Sequence, residues 1–496
     1  MERKKSKWKQ LLTGRLTAVS LLIGMQMVLI LTAVVKFTKL YPLYRIFSAA
    51  LGIGFTLHLI RSGRTTAYKL VWTVLILLLP VFGSAVYLIF CGNRLSSDSR
   101  ERMKRIQAEH RIPVPEDWTE AGRGTRFLLS AGYSVYTGTE TVYYPSGEEF
   151  YRSLLAELEK AEKSVWMEYF ILSEGEMWEG IHRVLRNKAA AGADVRLICD
   201  DLGCIGRLPR NFAAKLAEEG IRCVFFHRFI PVLSAIQNNR DHRKICVIDG
   251  KTAFTGGINI GDEYIGRSTP FGSWKDCAVM LKGAGVRSFS SMFLTMWDYI
   301  TGGNSSPDTP EVPYAAAEGS VQPYASCPTD EHDIARSVYL DLIDSAEKSL
   351  WIMTPYLIPD EATAQSLIRA ARSGVDVRII TPGIPDKKLV YEATRAAYFR
   401  LLQNGVRIWE YTPGFLHSKI VLADEKTAVI GSVNLDYRSF YLHFECGVCM
   451  TDTSAIPEIR RDFIRTFTVS REINGSKTGF FRSLFRAVLE LLAPLL

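Results

Sequence analysis

Nothing in this sequence supports a disulfide framework, a zinc cluster or a cleaved leader. Its nine cysteines are odd in number and scattered. Cys199, Cys246 and Cys277 sit inside apolar runs, where a thiol serves as a small core side chain. The C-x-x-C from Cys446 to Cys449 has no second pair to complete a metal or redox site, and it reads as buried strand. Carboxylates are nowhere gathered into the dense cluster a hard cation needs, so no metal and no cofactor is expected. An obvious basic groove interleaved with aromatic residues is also missing, which argues against a nucleic-acid partner. The first apolar run is too long for a signal peptide and lacks a clear small-residue cleavage site.

What is present is apolar residue and positive charge, both unevenly placed. Of the 496 residues, 47% are hydrophobic and the mean hydropathy is +0.05. The excess lies near the N-terminus. Leu16 to Val35 is a run of about 20 nearly uninterrupted apolar residues, long enough to cross a bilayer. Tyr41 to Ile60, broken by Arg45, and Ala67 to Phe90 follow it. The net charge of +8 is concentrated at the N-terminus and from Arg94 to Arg111, which favours an anionic partner. Basic residues flank the first run before and the third run after, and both flanks favour the cytoplasm. The expectation is a multi-pass cell-membrane protein with two crossings and a cytoplasmic catalytic part.

From Val142 the texture becomes soluble α/β. Strand-like runs (Ser164–Leu172, Val195–Asp200, Ile221–His227) alternate with helical patterns (Glu148–Lys163, Gly180–Ala191, Asn211–Glu219). Thr301 to Asp330, rich in Pro, Gly, Ser and Thr, reads as a linker. After it the texture restarts. Ala161-Glu-Lys-Ser-Val-Trp166 recurs as Ala346-Glu-Lys-Ser-Leu-Trp351, and Ala191-Gly-Ala-Asp-Val-Arg-Leu-Ile198 as Ser373-Gly-Val-Asp-Val-Arg-Ile-Ile380. Two copies of one α/β unit with mixed sheets are therefore expected, with a shared site at their interface. The expected division is a membrane anchor at 1–95, a basic linker at 96–141, repeats at 142–300 and 331–470 separated by the linker at 301–330, and an amphipathic tail at 471–496.

Each copy carries one H-x-K-x4-D motif: His242, Lys244 and Asp249 in the first, His417, Lys419 and Asp424 in the second. Each motif is followed at matching offsets by a Gly-x-x-Asn tail, Gly256-Gly257-Ile-Asn259 and Gly431-Ser432-Val-Asn434. One such motif arises by chance; two with matching tails inside a duplication are a strong signal. On a strand, His and Lys two apart share a face. Two such strands meeting across a pseudo-twofold axis converge two imidazoles and two ammoniums, a set suited to a phosphodiester. The ammoniums, with Asn259 and Asn434, hold the non-bridging oxygens, and Gly257 and Ser432 beside them count as substrate-binding candidates. One imidazole attacks phosphorus while the other protonates the departing alkoxide.

The Asp at +7 has the opposite parity to the His, and Asp249-Gly250 is a hairpin-turn dipeptide, so Asp249 and Asp424 read as structural or supporting members of the motif. Asp276 and Glu445, at matching places further on, are the candidates for orienting the histidines by accepting one ring N–H. His58, His110, His182, His227, His332 and His443 lack a partner motif and read as structural or solvent-facing. Tyr169 and Tyr356 fall near the ends of repeated strands and read as core, with the lining of a lipid entrance as the alternative, and Trp178 and Trp297 read as core or interfacial residues. Phe480 to Leu496 is a short amphipathic tail that suits a docked helix or one lying in a membrane interface.

These motifs resemble the phospholipase D superfamily over roughly Val142 to Phe463. Gly256-Gly-Ile-Asn-Ile-Gly-Asp-Glu263, Gly431-Ser-Val-Asn-Leu-Asp-Tyr-Arg-Ser439 and the apolar hairpin with Leu79-Pro-Val-Phe-Gly83 and Tyr87-Leu-Ile-Phe90 resemble the bacterial cardiolipin synthases. The resemblance implies two pseudo-symmetric α/β sandwich repeats behind N-terminal transmembrane helices. It also implies condensation of two phosphatidylglycerols into cardiolipin and glycerol through a phosphohistidine. His242 would then be the nucleophile, and His417 the acid and later the base. A hydrolase, or a transferase using another acceptor alcohol, is the alternative within the same chemistry. The segment from Met1 to about Lys39 departs from the family's usual plan.

Overall fold

A computed structural model describes residues 41–90, 96–114, 122–228, 235–305, 317–475 and 479–495, with Val28, Leu31 and Thr32. They fall into two units, one holding the N-terminal segment with residues 228–239 and 491–496, the other holding residues 96–227 and 240–490.

The N-terminal unit includes helices α1 (Tyr41–Arg61), α2 (Thr66–Leu78) and α3 (Pro80–Phe90). The apolar stretch from Ala67 to Phe90 is thus two helices. Pro80 has no N–H to give α2 and opens α3 as its first residue, where that N–H is not needed. Leu59, Tyr68, Trp72, Ile76 and Tyr87 pack together, with the Trp72 and Tyr87 rings edge-on at 5.3 Å. Ile53, Leu57, Leu70, Leu77 and Leu88 remain exposed. Among the described residues no helix is long and apolar enough to cross a membrane. The run Leu16 to Val35 lies, but for Val28, Leu31 and Thr32, outside the described residues.

The larger unit holds the duplication. Its first copy supplies β2 (Thr139–Tyr144), β3 (Ser164–Tyr169), β4 (Asp194–Asp200), β5 (Arg222–Phe226), β6 (Lys244–Ile248), β7 (Thr252–Gly256), β8 (Ser273–Lys275) and β9 (Ala278–Gly283), after a short β1 (Tyr136–Thr137). The second supplies β10 (Ser320–Ser326), β11 (Ser349–Met353), β12 (Asp376–Pro382), β13 (Arg407–Tyr411), β14 (Gly414–Leu416), β15 (Ile420–Ala423), β16 (Thr427–Gly431) and β17 (Glu445–Thr451), then β18 (Ser470–Glu472). The sheet orders are β2-β9-β7-β6-β3-β4-β5 and β10-β17-β16-β15-β11-β12-β13, the second extended by β1 and β18 at its edges. Position for position they are the same sheet. β3 and β11 each run parallel to the next strand and antiparallel to the motif strand, so both sheets are mixed. Every residue of β6 and of β15 is buried. Strands covered on both faces read as continuous apolar runs, and each buried Val, Leu or Ile contributes roughly 1.5–3 kcal/mol.

Two stretches expected to be linkers carry structure. β10 lies inside 301–330, its strand character masked by Pro323, and pairs along its whole length with β17. Helices at Ser97–Glu109 and Arg123–Ser130, and β1, lie inside 96–141. Two helices later in the chain are α4 (Lys388–Gln403) and α5 (Phe480–Leu492).

Candidate active site

The two motifs hold their residues by the same local devices. His242 leads into β6 and His417 into β15, so the strand expectation holds for the second half of each motif. The Lys244 ammonium donates to the His242 carbonyl at 2.5 Å, and Lys419 donates likewise to the His417 carbonyl. Upstream of His242, the buried Arg240 grips Asp200 at the end of β4 through bonds of 2.7–3.1 Å, and Asp200 also accepts the Asp241 N–H.

The carboxylates are exchanged between the copies. His242 Nδ1 lies 3.0 and 3.1 Å from the two oxygens of Glu445 in the second copy. His417 Nδ1 lies 2.6 Å from Asp276 Oδ2 in the first. Backbone pairing produces the exchange. β14 runs parallel to β8, and the His417 N–H donates to the Lys275 carbonyl, one residue before Asp276. Asp241 pairs in parallel with Phe444, and the His242 N–H donates to the Phe444 carbonyl, one residue before Glu445. With each carboxylate accepting, Nδ1 carries the ring proton and Nε2 is left for chemistry.

Burial and like charge set the protonation states. His242 and His417 are 7% and 9% exposed, and both carboxylates are fully buried. Burial, then the nearby Lys244 and Lys419 ammoniums, hold His242 well below the ordinary histidine value. The same two causes, burial then Lys419, opposed by Asp276, bring His417 to about 4. Burial lowers Lys244 to about 7 and Lys419 to about 8, against the pull of Glu445 and Asp276 respectively. Burial alone would raise Asp276; the charges of His417 and Lys419 hold it below the usual carboxylate range.

Asp249 and Asp424, the last residues of the two motifs, bind backbone. Asp249 accepts the backbone N–H groups of Glu162, Lys163 and Ser164 at 2.7–2.9 Å. Asp424 accepts those of Glu347, Lys348 and Ser349 at the same distances. Those are the repeated Glu-Lys-Ser segments, so two sequence repeats explain each other: one is the clamp, the other the loop it clamps. Asp249 and Gly250 have φ of 53° and 63°, the pair a tight hairpin turn requires. Asp424→Ala should lower unfolding stability by about 2 kcal/mol, as charge-assisted bonds to the loop are lost. Urea unfolding measures this, while activity per folded molecule should hold.

Gly257 and Ser432, the substrate-binding candidates, lie against the carboxylates. A Cβ on Gly257 would come 2.2 Å from Asp276 Oδ1, so only glycine admits that carboxylate. Ser432, its counterpart, donates its hydroxyl to Glu445 Oε2. Asn259 accepts from the Ile171 N–H and donates to the Tyr264 hydroxyl at 2.7 Å, while Asn434 Oδ1 is buried without a hydrogen-bond partner. Tyr169 is core as expected. Tyr356 is half-buried, donates to Asp386 at 2.7 Å and lies under the Lys387 ammonium.

One residue read as incidental belongs to the site. The His443 ring lies 5.3 Å from that of His242, and its Nδ1 is 3.5 Å from Glu445 Oε1. Its place, two residues before Glu445 as Trp274 stands two before Asp276, was the available signal; Trp274 packs on His417 at 5.6 Å. His242, His443 and Glu445 offer three metal-ligand atoms within 4.8 Å of one another. A cation held there would occupy the nitrogen and the carboxylate that orient His242.

Comparison with known proteins follows the same lines. The family described as "Cardiolipin synthase, PLD-like domain" matches residues 154–294 and 339–467, and "Phospholipase D-nuclease N-terminal" matches residues 50–90. The chain is 34% identical to a cardiolipin synthase of Geobacillus kaustophilus, covering 92% of this chain and 95% of that one. It is 39% identical to an uncharacterized protein of Streptococcus mutans over 90% of this chain and all of that one. A crystal structure of phosphatidylserine synthase from Haemophilus influenzae, 14% identical, shares the fold with a TM-score of 0.54 over 75% of this chain and 99% of that one.

Proposed function

The chain belongs to the cardiolipin synthase family of phospholipase D-like proteins, and on that premise we propose how its own residues transfer a phosphatidyl group from one phosphatidylglycerol to another. The exchanged carboxylates carry the reading, because they free one Nε2 from each copy while fixing both tautomers.

The donor's phosphate sits against Lys244 and Lys419. His242 Nε2 attacks phosphorus, a P–N bond forms, and the P–O bond to the glycerol headgroup breaks. His417 gives that oxygen its proton, and glycerol leaves. The headgroup hydroxyl of a second phosphatidylglycerol then loses its proton to His417 and attacks phosphorus, expelling His242 and giving cardiolipin. An inequality between the histidines supports this division. Glu445 lies near His242, Ser432 and His443, whereas Asp276 sits 2.6 Å from His417 and, among the described residues, takes no side-chain hydroxyl. Asp276 pulls His417 towards its protonated form, which an anionic phosphate offsetting the lysines would favour further. The apolar outer faces of α1 to α3 and the basic flanks of the N-terminal runs support a membrane-held enzyme with cytoplasmic catalytic repeats.

The test is to incubate purified protein with phosphatidylglycerol vesicles in chelator and analyse lipids and released glycerol. Cardiolipin with equimolar glycerol is the expected result. Phosphatidic acid would mean hydrolysis, and no lipid turnover with nicked DNA would overturn the reading.

Activity should also fall at alkaline pH. The lysine values are lowered, so rising pH removes the ammoniums that hold phosphate, and kcat/KM should decline as pH passes 7 to 8. The decline in kcat should lie higher, because bound phosphate favours the charged lysines. A kcat/KM still rising at pH 9 would contradict the assigned role of Lys244 and Lys419.

A further inference from the structure

Helix α5 is amphipathic, but it is mounted with its apolar side outward. Phe480, Phe481, Leu484, Phe485 and Val488 are 76%, 84%, 55%, 47% and 46% exposed. Their spacing places them on one helical face. The face turned to the protein buries Leu489 beside a charged residue, Arg486. Arg486, buried, donates to Glu392 of α4 at 2.9 Å, and Arg482 donates to the same carboxylate at 3.2 Å. Glu490, two turns on, lies within electrostatic reach of Arg400 on α4.

The apolar surface does not end with α5. Leu389 and Phe399, on the face of α4 that bears Glu392, are 48% and 56% exposed. Lys387 and Lys388 are exposed where α4 begins. That end of α4 reaches the active site: the Lys387 ammonium lies 5.5 Å over Tyr356 and its charge acts on His242. Exposed apolar side chains on α5 and α4, with Lys387 and Lys388 exposed at the start of α4, are complementary to an anionic phospholipid surface.

We infer that α5, locked to α4 through Glu392, is an interfacial helix that lays its phenylalanine face into the bilayer from which the active site draws its substrate. The inference rests on the phospholipid reading of that site. It assigns the Arg482–Glu392–Arg486 cluster to holding the helix in its outward orientation.

The experiment uses the full chain reconstituted in phosphatidylglycerol nanodiscs. Replacing Phe480, Phe481, Leu484, Phe485 and Val488 with Ser should lower turnover of bilayer phosphatidylglycerol on the order of tenfold. Turnover of a monomeric short-chain phosphatidylglycerol should stay within about twofold, because no surface is engaged. Independently, Phe485→Trp should add fluorescence that brominated phospholipids quench beyond the quenching of the unsubstituted chain. Equal bilayer turnover by both proteins, or an unquenched Trp at 485, would overturn the inference. So would a change of oligomeric state in the Ser variant, which would mean that a second copy covers this face. If the Ser variant also lost short-chain turnover, the quenching would decide. A parent chain that makes no cardiolipin from either substrate would refute the phospholipid reading, and quenching at 485 would still judge the helix.

Discussion

His242→Ala should abolish turnover and His417→Ala should nearly do so, but only the second should leave phosphatidyl on the protein. The losses expected are at least about 10⁴-fold for the nucleophile and on the order of 10³–10⁴-fold for the acid–base residue. The sharper test uses a phosphatidyl ester whose leaving group is a good one, such as nitrophenol, which departs without a proton. In His417→Ala, Nε2 of His242 is intact and held by Glu445. It should attack that ester and release one equivalent of nitrophenol. The next step needs a base to deprotonate the acceptor hydroxyl, so the phosphohistidine should accumulate. In His242→Ala no burst should appear. Mass spectrometry of the His242 peptide under neutral or basic conditions reads the adduct directly. Label on His417 in the His242→Ala protein would reverse the two roles, and a full-rate reaction with no adduct in either variant would mean direct transfer to the acceptor.

Much of this site was legible in one dimension because its chemistry is written twice. The spacing of His242, Lys244 and Asn259 repeats in His417, Lys419 and Asn434, and the duplicated sheet order follows from the duplicated sequence. The turn at Asp249-Gly250 was legible too, since few residue pairs accept left-handed φ at both positions. What could not be read was the exchange of carboxylates. Glu445 is 203 residues from His242 and Asp276 is 141 from His417, and the pairing depends on a three-residue strand and an isolated bridge. No periodicity marks contacts that short. β10 was hidden for another reason: a strand containing Pro323 and lying in a Pro/Gly/Ser-rich stretch has the composition of a linker. The outward mounting of α5 was hidden because amphipathicity says that a helix has two faces, not which one meets the protein. The inward side is marked by the Arg486 bond to Glu392, a residue of a different helix, and by buried Leu489.

The exchange of carboxylates has a kinetic consequence that separates the two conservative variants. Glu445→Gln and Asp276→Asn keep the shape of each side chain and remove the charge that fixes a ring tautomer, a change that costs on the order of 10⁴-fold in comparable triads. Both should cripple synthesis from natural phosphatidylglycerol. On the activated ester they should part. Glu445 orients the attacking His242, so Glu445→Gln should still fail to give a burst. Asp276 orients His417, which the first step on that ester does not need, so Asp276→Asn should give a near-normal burst and then stall as phosphohistidine. Gly257→Ala should behave like Asp276→Asn, because the added methyl would meet the Asp276 carboxylate at 2.2 Å and displace it. If the carboxylates instead served the histidines of their own copies, the outcomes would be interchanged: Asp276→Asn would lose the burst and Glu445→Gln would keep it. With the carboxylates exchanged as observed, each histidine is oriented only when the other copy is correctly docked. A chain whose two repeats are held apart should therefore show neither synthesis from phosphatidylglycerol nor a burst on the activated ester.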